Sequence, residues 1–216
     1  MNYWKTFFDV ANFEFSFQTA SPQVCNYFAH MQTTNTAPNV ISYGTVIHTF
    51  ANNGDHQNAL NYFNKMQEAA IKPNMIAFNN LISAFSKAND PGAAVLYLDK
   101  MPSFNLEADI VSFNICLNAH SKQNNLKQVL ALFHRLENST NLTPNDVSYS
   151  ILINAFAKQG DALQAHNWLM KMHNSNIPKS VICCNGVLMA YCKKDYIQKA
   201  VEFYKQMEGE WGLQFN

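Results

Sequence analysis

Residues 40–74 read VISYGTVIHTFANNGDHQNALNYFNKMQEAAIKPN, and residues 75–109 read MIAFNNLISAFSKANDPGAAVLYLDKMPSFNLEAD. The two align without a gap over 35 residues: Tyr43 meets Phe78, Ile47 meets Ile82, Phe50 meets Phe85, Ala59 meets Ala94, and Met66 meets Met101. Three further copies follow, at 110–145, 146–180 and 181–216, two of them one residue longer. Ala84, Ala119, Ala155 and Ala190 share one register, with Thr49 there in the first copy. Ala59, Ala94, Ala165 and Ala200 share a second, and Met66, Met101, Met172 and Met207 a third. Self-similarity at this period is the mark of a stacked-repeat architecture.

Each copy carries two helical patterns. In the first, Tyr43, Val46, Ile47 and Phe50 recur at i, i+3, i+4 and i+7, the spacing of one helix face. Asn53-Gly54 then ends the helix and Asp55 is placed to cap the next, where Ala59, Leu60, Phe63 and Met66 form a second stripe. In the second copy Asp90 caps and Pro91 takes the first helical position. Breaks are expected near Gly54, Asp90, Asn125, Gly160 and Asp195. Helices of about 13 residues are about 20 Å long. A pair of that size cannot bury both its faces alone, so the reading is all-α: an α-solenoid of tandem 35-residue helix-turn-helix repeats with a concave face. Five repeats fill residues 40–216. Residues 1–39 read as a degenerate repeat or N-terminal cap: Val24, Tyr27, Phe28, Met31 and Pro38 lie one period before Ala59, Tyr62, Phe63, Met66 and Pro73, while Phe7, Phe8, Phe13, Phe15 and Phe17 show no helical spacing.

Composition narrows the function classes. The 216 residues are 48% hydrophobic and 14% charged, which is globular rather than disordered composition, and no apolar run approaches the length of a membrane span. Fifteen basic and fifteen acidic residues cancel, so net charge announces no polyanionic partner. Cys25, Cys116, Cys183, Cys184 and Cys192 form neither a CxxC pair nor a zinc spacing and read as free thiols of a reducing compartment. The seven histidines are scattered, without HExxH or a His/Cys or His/Asp grouping. No catalytic constellation, metal site or cofactor motif is present, and no enzyme is expected.

The 35-residue period, the openings Ile76-Ala77-Phe78-Asn79 and Val147-Ser148-Tyr149-Ser150, the Ala-x3-Phe/Leu-x2-Met of second helices and the closing Ile71-Lys72-Pro73-Asn74 together resemble the pentatricopeptide repeat family, in its P-type repeats. The resemblance covers residues 40–216 well and 20–39 fairly. It implies a right-handed superhelix that binds single-stranded RNA, one base per repeat, in organellar RNA processing, stability or translation. The organelle, mitochondrion or plastid, follows from the family alone; residues 1–20, with one Lys, no Arg, Asp9 and Glu14, are unlike a transit peptide.

The family reads each base with the fifth and last residues of a repeat. Carried over, the pairs are Gly44 with Asn74, Asn79 with Asp109, Asn114 with Asn145, Ser150 with Ser180, and Asn185 with Asn216. Asn, Asp and Ser can meet a Watson–Crick edge. The same residues are favoured as helix caps, which accounts for the last position but not for a polar residue one turn inside an apolar helix. The second residues, Ile41, Ile76, Val111, Val147 and Ile182, clamp bases in the family; from the residues alone, core packing explains them as well. Lys87, Lys122, Lys158 and Lys193 recur near the ends of first helices, where they suit either a phosphate backbone or the helix macrodipole. The expected partner is single-stranded RNA, with other proteins of an RNA-processing or ribosomal complex besides, and neither a membrane nor a small-molecule substrate. The alternative is a scaffold solenoid that binds protein in such a complex.

Overall fold

The structure, a computed structural model, describes residues 17–34, 36–178 and 180–209, and for residues 17–22 and 32 the backbone alone. Among the described residues there are eleven α-helices and no strand: α1 (Phe17–Thr33), α2 (Val40–Asn52), α3 (His56–Glu68), α4 (Met75–Lys87), α5 (Pro91–Lys100), α6 (Ile110–Lys122), α7 (Leu126–Glu137), α8 (Asp146–Lys158), α9 (Ala162–Asn174), α10 (Val181–Lys193) and α11 (Ile197–Gly209). The phenylalanines 7, 8, 13 and 15 lie outside the described residues, as does the side chain of Phe17.

The helix ends follow from local chemistry. Asn39, Asn74, Asp109, Asn145 and Ser180 each hold an extended backbone and accept, through the side chain, an N–H of the first helical turn. Asp55, Asp90, Asn125 and Asp161 accept an N–H of the first turn in the same way for α3, α5, α7 and α9. Such caps satisfy donors that have no partner inside the helix. Between paired helices one residue turns left-handed: Gly54, Asn89, Asn124, Gly160 or Asp195. Only glycine enters that region freely, and Asn and Asp tolerate it. The five expected breaks fall at these turns. One helix departs from the expected length. In α5 the helix stops at Lys100, and Met101–Phe104 tighten into a 3-10 turn, because Pro102 has no N–H to continue the ladder.

Backbone packing divides the chain into two compact units, Met1–Ala88 and Asn89–Asn216. In the first, α2 lies against α1, α3 and α4, and α3 against α4. Phe28 of α1 meets Tyr43 and Tyr62 edge-on at 4.8 and 5.4 Å, and Phe63 meets Phe78 at 5.0 Å. In the second unit the first helices of consecutive repeats, α6, α8 and α10, pack in a row, and α7, α9 and α11 flank them. Phe133 of α7 is fully buried between Tyr149 and Trp168, 5.1 and 5.2 Å away. Burying a ring or branched aliphatic of this kind stabilises by about 1.5–3 kcal/mol. The shared alanines and methionines are buried throughout, the alanines letting backbones approach. Gln123 and Gln159 each donate a side-chain N–H to the turn carbonyl of the preceding repeat, Asn89 at 2.7 Å and Asn124 at 3.3 Å.

Candidate nucleic-acid interface

The fifth residue of a repeat sits one turn inside its first helix, and the last residue caps the first helix that follows. In the third repeat the structure brings this pair into direct contact. Asn114 Nδ2 donates to Asn145 Oδ1 at 3.2 Å. Ser148 donates to Asn114 Oδ1 at 2.7 Å, and its own backbone N–H reaches Asn145 Oδ1 at 3.0 Å. Both asparagines are half-buried, while Ser148 is fully buried.

In the fourth repeat Ser150 and Ser180 do not meet directly. The thiol of Cys183 lies between them, 2.8 Å from Ser150 Oγ and 3.2 Å from Ser180 Oγ. In the first repeat Gly44 offers no side chain, and a Cβ built there would meet nothing within 4 Å; Asn74 caps α4 by accepting from Ala77 N at 2.9 Å. Asn79 is half-buried in α4, and Asp109 caps α6, accepting from the backbone N–H and the hydroxyl of Ser112, both at 2.7 Å. Asn185 is exposed in α10; its partner Asn216 lies outside the described residues.

The second residues lie largely outside the core. Ile41, Ile76, Val111, Val147 and Ile182 are 65, 64, 50, 46 and 65% exposed. They stand on the first turn of α2, α4, α6, α8 and α10, one before each fifth-position residue by a helical turn.

The four lysines are exposed and each is the last residue of its helix. Two of them touch the preceding repeat: Lys87 donates to Asn52 Oδ1 at 3.0 Å and Lys158 to the Ser121 carbonyl at 3.3 Å. The second bond is helix-end chemistry, a cation on a carbonyl of the last turn.

Sequence reasoning missed two features. One is the third residue of the repeat, Ser112, Ser148 or Cys183, buried and bonded to the last residue before it. The other is a polar chain across α2 and α4. Asn80 donates to the Gly44 carbonyl at 3.3 Å and accepts from His48 Nδ1 at 3.2 Å. His48 Nε2 then accepts from Asn52 Nδ2 at 2.8 Å, which leaves Asn52 Oδ1 for Lys87. The i, i+4 spacing of His48 and Asn52 was the signal available for it.

Burial, with the charge of Asp99 adding to it, pushes the Cys116 thiol up to about 12, so it stays protonated. All five cysteines are free. No His/Cys/Asp/Glu cluster able to hold a metal occurs among the described residues, and no described helix is long and apolar enough to cross a membrane.

Three kinds of family model match: a pentatricopeptide repeat domain over residues 26–88, a PPR repeat family over 108–158, and single PPR repeats over 76–106, 147–177 and 182–211. None of the curated proteins matches the chain. Among solved structures, the maize pentatricopeptide repeat protein PPR10 is similar at 19% identity with a TM-score of 0.72, over 83% of this chain and 26% of that one. PPR10 in complex with an 18-nt psaJ RNA element matches at 20% identity and a TM-score of 0.72, over 85% of this chain and 27% of that one. The PPR domain of Arabidopsis thaliana protein-only RNase P 1, in complex with tRNA, matches at 12% identity and a TM-score of 0.66, over 85% of this chain and 91% of that domain. At these identities the likeness is one of fold. The chain spans about a quarter of the length of PPR10.

Proposed function

The chain belongs to the pentatricopeptide repeat family, and from that premise we propose that it binds single-stranded RNA, one base per repeat, as a non-enzymatic adaptor in organellar RNA processing, stability or translation. The observation that carries the proposal is the Asn114–Asn145 pair: two amides from consecutive repeats, bonded to each other at 3.2 Å and flanked by the exposed Val111 and Val147. Polar edges between apolar surfaces suit a base, whose rim is read by hydrogen bonds and whose faces accept apolar contact. A peptide-binding scaffold gives no reason for such a pair. Two of the solved relatives hold RNA, an 18-nt element in one and tRNA in the other.

In this reading Gly44 with Asn74, Asn79 with Asp109, Asn114 with Asn145, Ser150 with Ser180, and Asn185 with Asn216 face successive bases from the 5′ side. The family pattern then gives 5′-A-U-C-N-C-3′, the first base held least firmly because Gly44 brings no side chain. Ile41, Ile76, Val111, Val147 and Ile182 lie against base faces. Lys122 and Lys193 are available to phosphates, and Lys87 and Lys158 share themselves with Asn52 and Ser121.

The test is competition for the full chain among RNAs of about 15 nucleotides that carry this core and its single-base variants, at low salt. Preference for the core by a severalfold margin is expected. Folded protein that binds no RNA at low salt would overturn the proposal in favour of a protein scaffold.

A further inference from the structure

Ser148 stands outside the pairs and clamps of the proposed reading, yet it is bonded to both members of the Asn114–Asn145 pair. Its hydroxyl oxygen lies 2.7 Å from Asn114 Oδ1, 3.0 Å from Asn145 Oδ1 and 3.3 Å from the Asn145 backbone N–H. Its backbone N–H donates to Asn145 Oδ1 at 3.0 Å. A hydroxyl carries one proton and two lone pairs. Asn145 Oδ1 already accepts from Ser148 N and from Asn114 Nδ2, so both its lone pairs are taken. The hydroxyl proton therefore goes to Asn114 Oδ1, and a lone pair receives the Asn145 N–H.

The consequence is a fixed orientation for both amides. Asn145 cannot turn its oxygen outward without releasing the start of α8. Asn114 cannot turn its oxygen outward without leaving Ser148 and facing oxygen against oxygen at Asn145. The hydrogens left over are those of Asn145 Nδ2 and the second hydrogen of Asn114 Nδ2. Asn145 Nδ2 is open to solvent, since among the described residues His120 Nδ1 is the one buried side-chain polar atom without a partner. A base edge that meets this pair meets N–H donors alone. Of the four bases, only cytosine has two adjacent acceptors, N3 and O2, on its Watson–Crick edge; uracil and guanine put an N–H at the middle, and adenine alternates acceptor and donor.

We propose that Ser148 is a positioning residue for base recognition: it locks the Asn114 and Asn145 amides with their oxygens inward, and so makes the third repeat select cytosine over uracil. This rests on the RNA reading above. At this register Ser42 makes the same capping box with Asn39, but Asn39 belongs to none of the five reading pairs, and the remaining repeats differ. Ala77 leaves the Asn74 side chain bonded to a backbone N–H alone, Ser112 faces a carboxylate, which has no orientation to lock, and Cys183 offers a thiol, a weaker donor.

The experiment is competition for the full chain among four RNAs that differ only at the third base of the core, with wild type, Ser148→Ala and Ser148→Cys. Loss of one buried hydroxyl bond should lower the cytosine-over-uracil ratio about five- to tenfold in Ser148→Ala, with Ser148→Cys between it and wild type. Preference at the second base should be unchanged in both. A structural role alone would instead weaken all four RNAs equally. Wild type that favours cytosine while both variants keep its ratio overturns the inference and leaves the RNA reading intact. Wild type without preference at this base removes the reading itself. Ser148→Cys keeps a buried group of the kind already present at residue 183, so the ratio can be read even where Ser148→Ala folds poorly.

Discussion

Replacing Ile182 by Ala separates the base-clamp reading from core packing. The side chain is 65% exposed at the start of α10, so its contribution to folding is small. A fully buried Ile→Ala change costs about 2–5 kcal/mol; scaled to the third that is buried, with no enclosed cavity left behind, the cost is about 1 kcal/mol. Against RNA the balance reverses. The exposed part presents about 100 Å² of apolar surface, which at about 25 cal/mol per Å² is about 2.5 kcal/mol when a base covers it. Alanine keeps a part of that, so the expected loss is about 1.5–2 kcal/mol, a weakening of about 10- to 30-fold. Val187, fully buried in the same helix, is the control: Val187→Ala should lose about 2 kcal/mol of stability and little RNA affinity. Urea unfolding followed by circular dichroism measures the first quantity, and fluorescence anisotropy with a labelled 15-nucleotide RNA the second. Because an apolar wall is indifferent to base identity, Ile182→Ala should weaken all single-base variants alike. A large drop in unfolding midpoint with unchanged RNA affinity would refute the reasoning.

Four further outcomes are expected. If the four lysines each meet a phosphate, the log–log salt dependence of binding should have a slope of about −3, and Lys122→Ala with Lys158→Ala should reduce it by about 1–1.5 without altering base preference; titrations at several salt concentrations decide it. Asn79→Thr with Asp109 kept should move the second base from uracil to guanine, read by competition among four RNAs; equal loss for all four would mean Asn79 acts only in folding. Phe133→Ala, which empties the space between Tyr149 and Trp168, should destabilise by about 3–5 kcal/mol in urea unfolding. Burial holds the His120 imidazole below its ordinary value of 6.5, so the unfolded chain binds the proton first and stability should fall as the pH drops through that value. His120→Phe, which restores the aromatic found at residues 50, 85 and 156 and removes an unpartnered buried nitrogen, should flatten this dependence and raise the melting temperature measured at pH 5.5.

The fold was legible because each repeat states its own boundaries. Caps such as Asp55 and Asp90, the left-handed turns at Gly54 and Gly160 and the 3.6-residue stripes are local signals, and local chemistry is what places helix ends. Pro102 shows the limit of averaging over repeats: four second helices run 12 or 13 residues, while α5 has 10 and a 3-10 turn. The second residues were ambiguous for a physical reason. A β-branched aliphatic on the first turn of a helix looks the same whether the neighbouring helix covers it or stops short of it, and only the packing of α6, α8 and α10 decides. Ser148 was invisible for a related reason, because a serine three places after a cap reads as capping-box furniture until Asn114, from the preceding repeat, is seen beside it. The lysine register was legible, but the bonds of Lys87 and Lys158 to Asn52 and Ser121 were not, since they cross from one repeat to the next.

In the proposed reading every last-position residue described, from Asn74 to Ser180, begins a helix with the same side chain that would face a base. The alphabet available for recognition at that position is therefore set before any nucleic acid arrives. Asn, Asp, Ser and Thr start helices, whereas a change to a residue such as Leu or Ala at this place costs about 1 kcal/mol of folding stability in each repeat. A drift from one RNA target to another must step between capping residues, and the larger vocabulary has to come from the fifth position, which starts no helix.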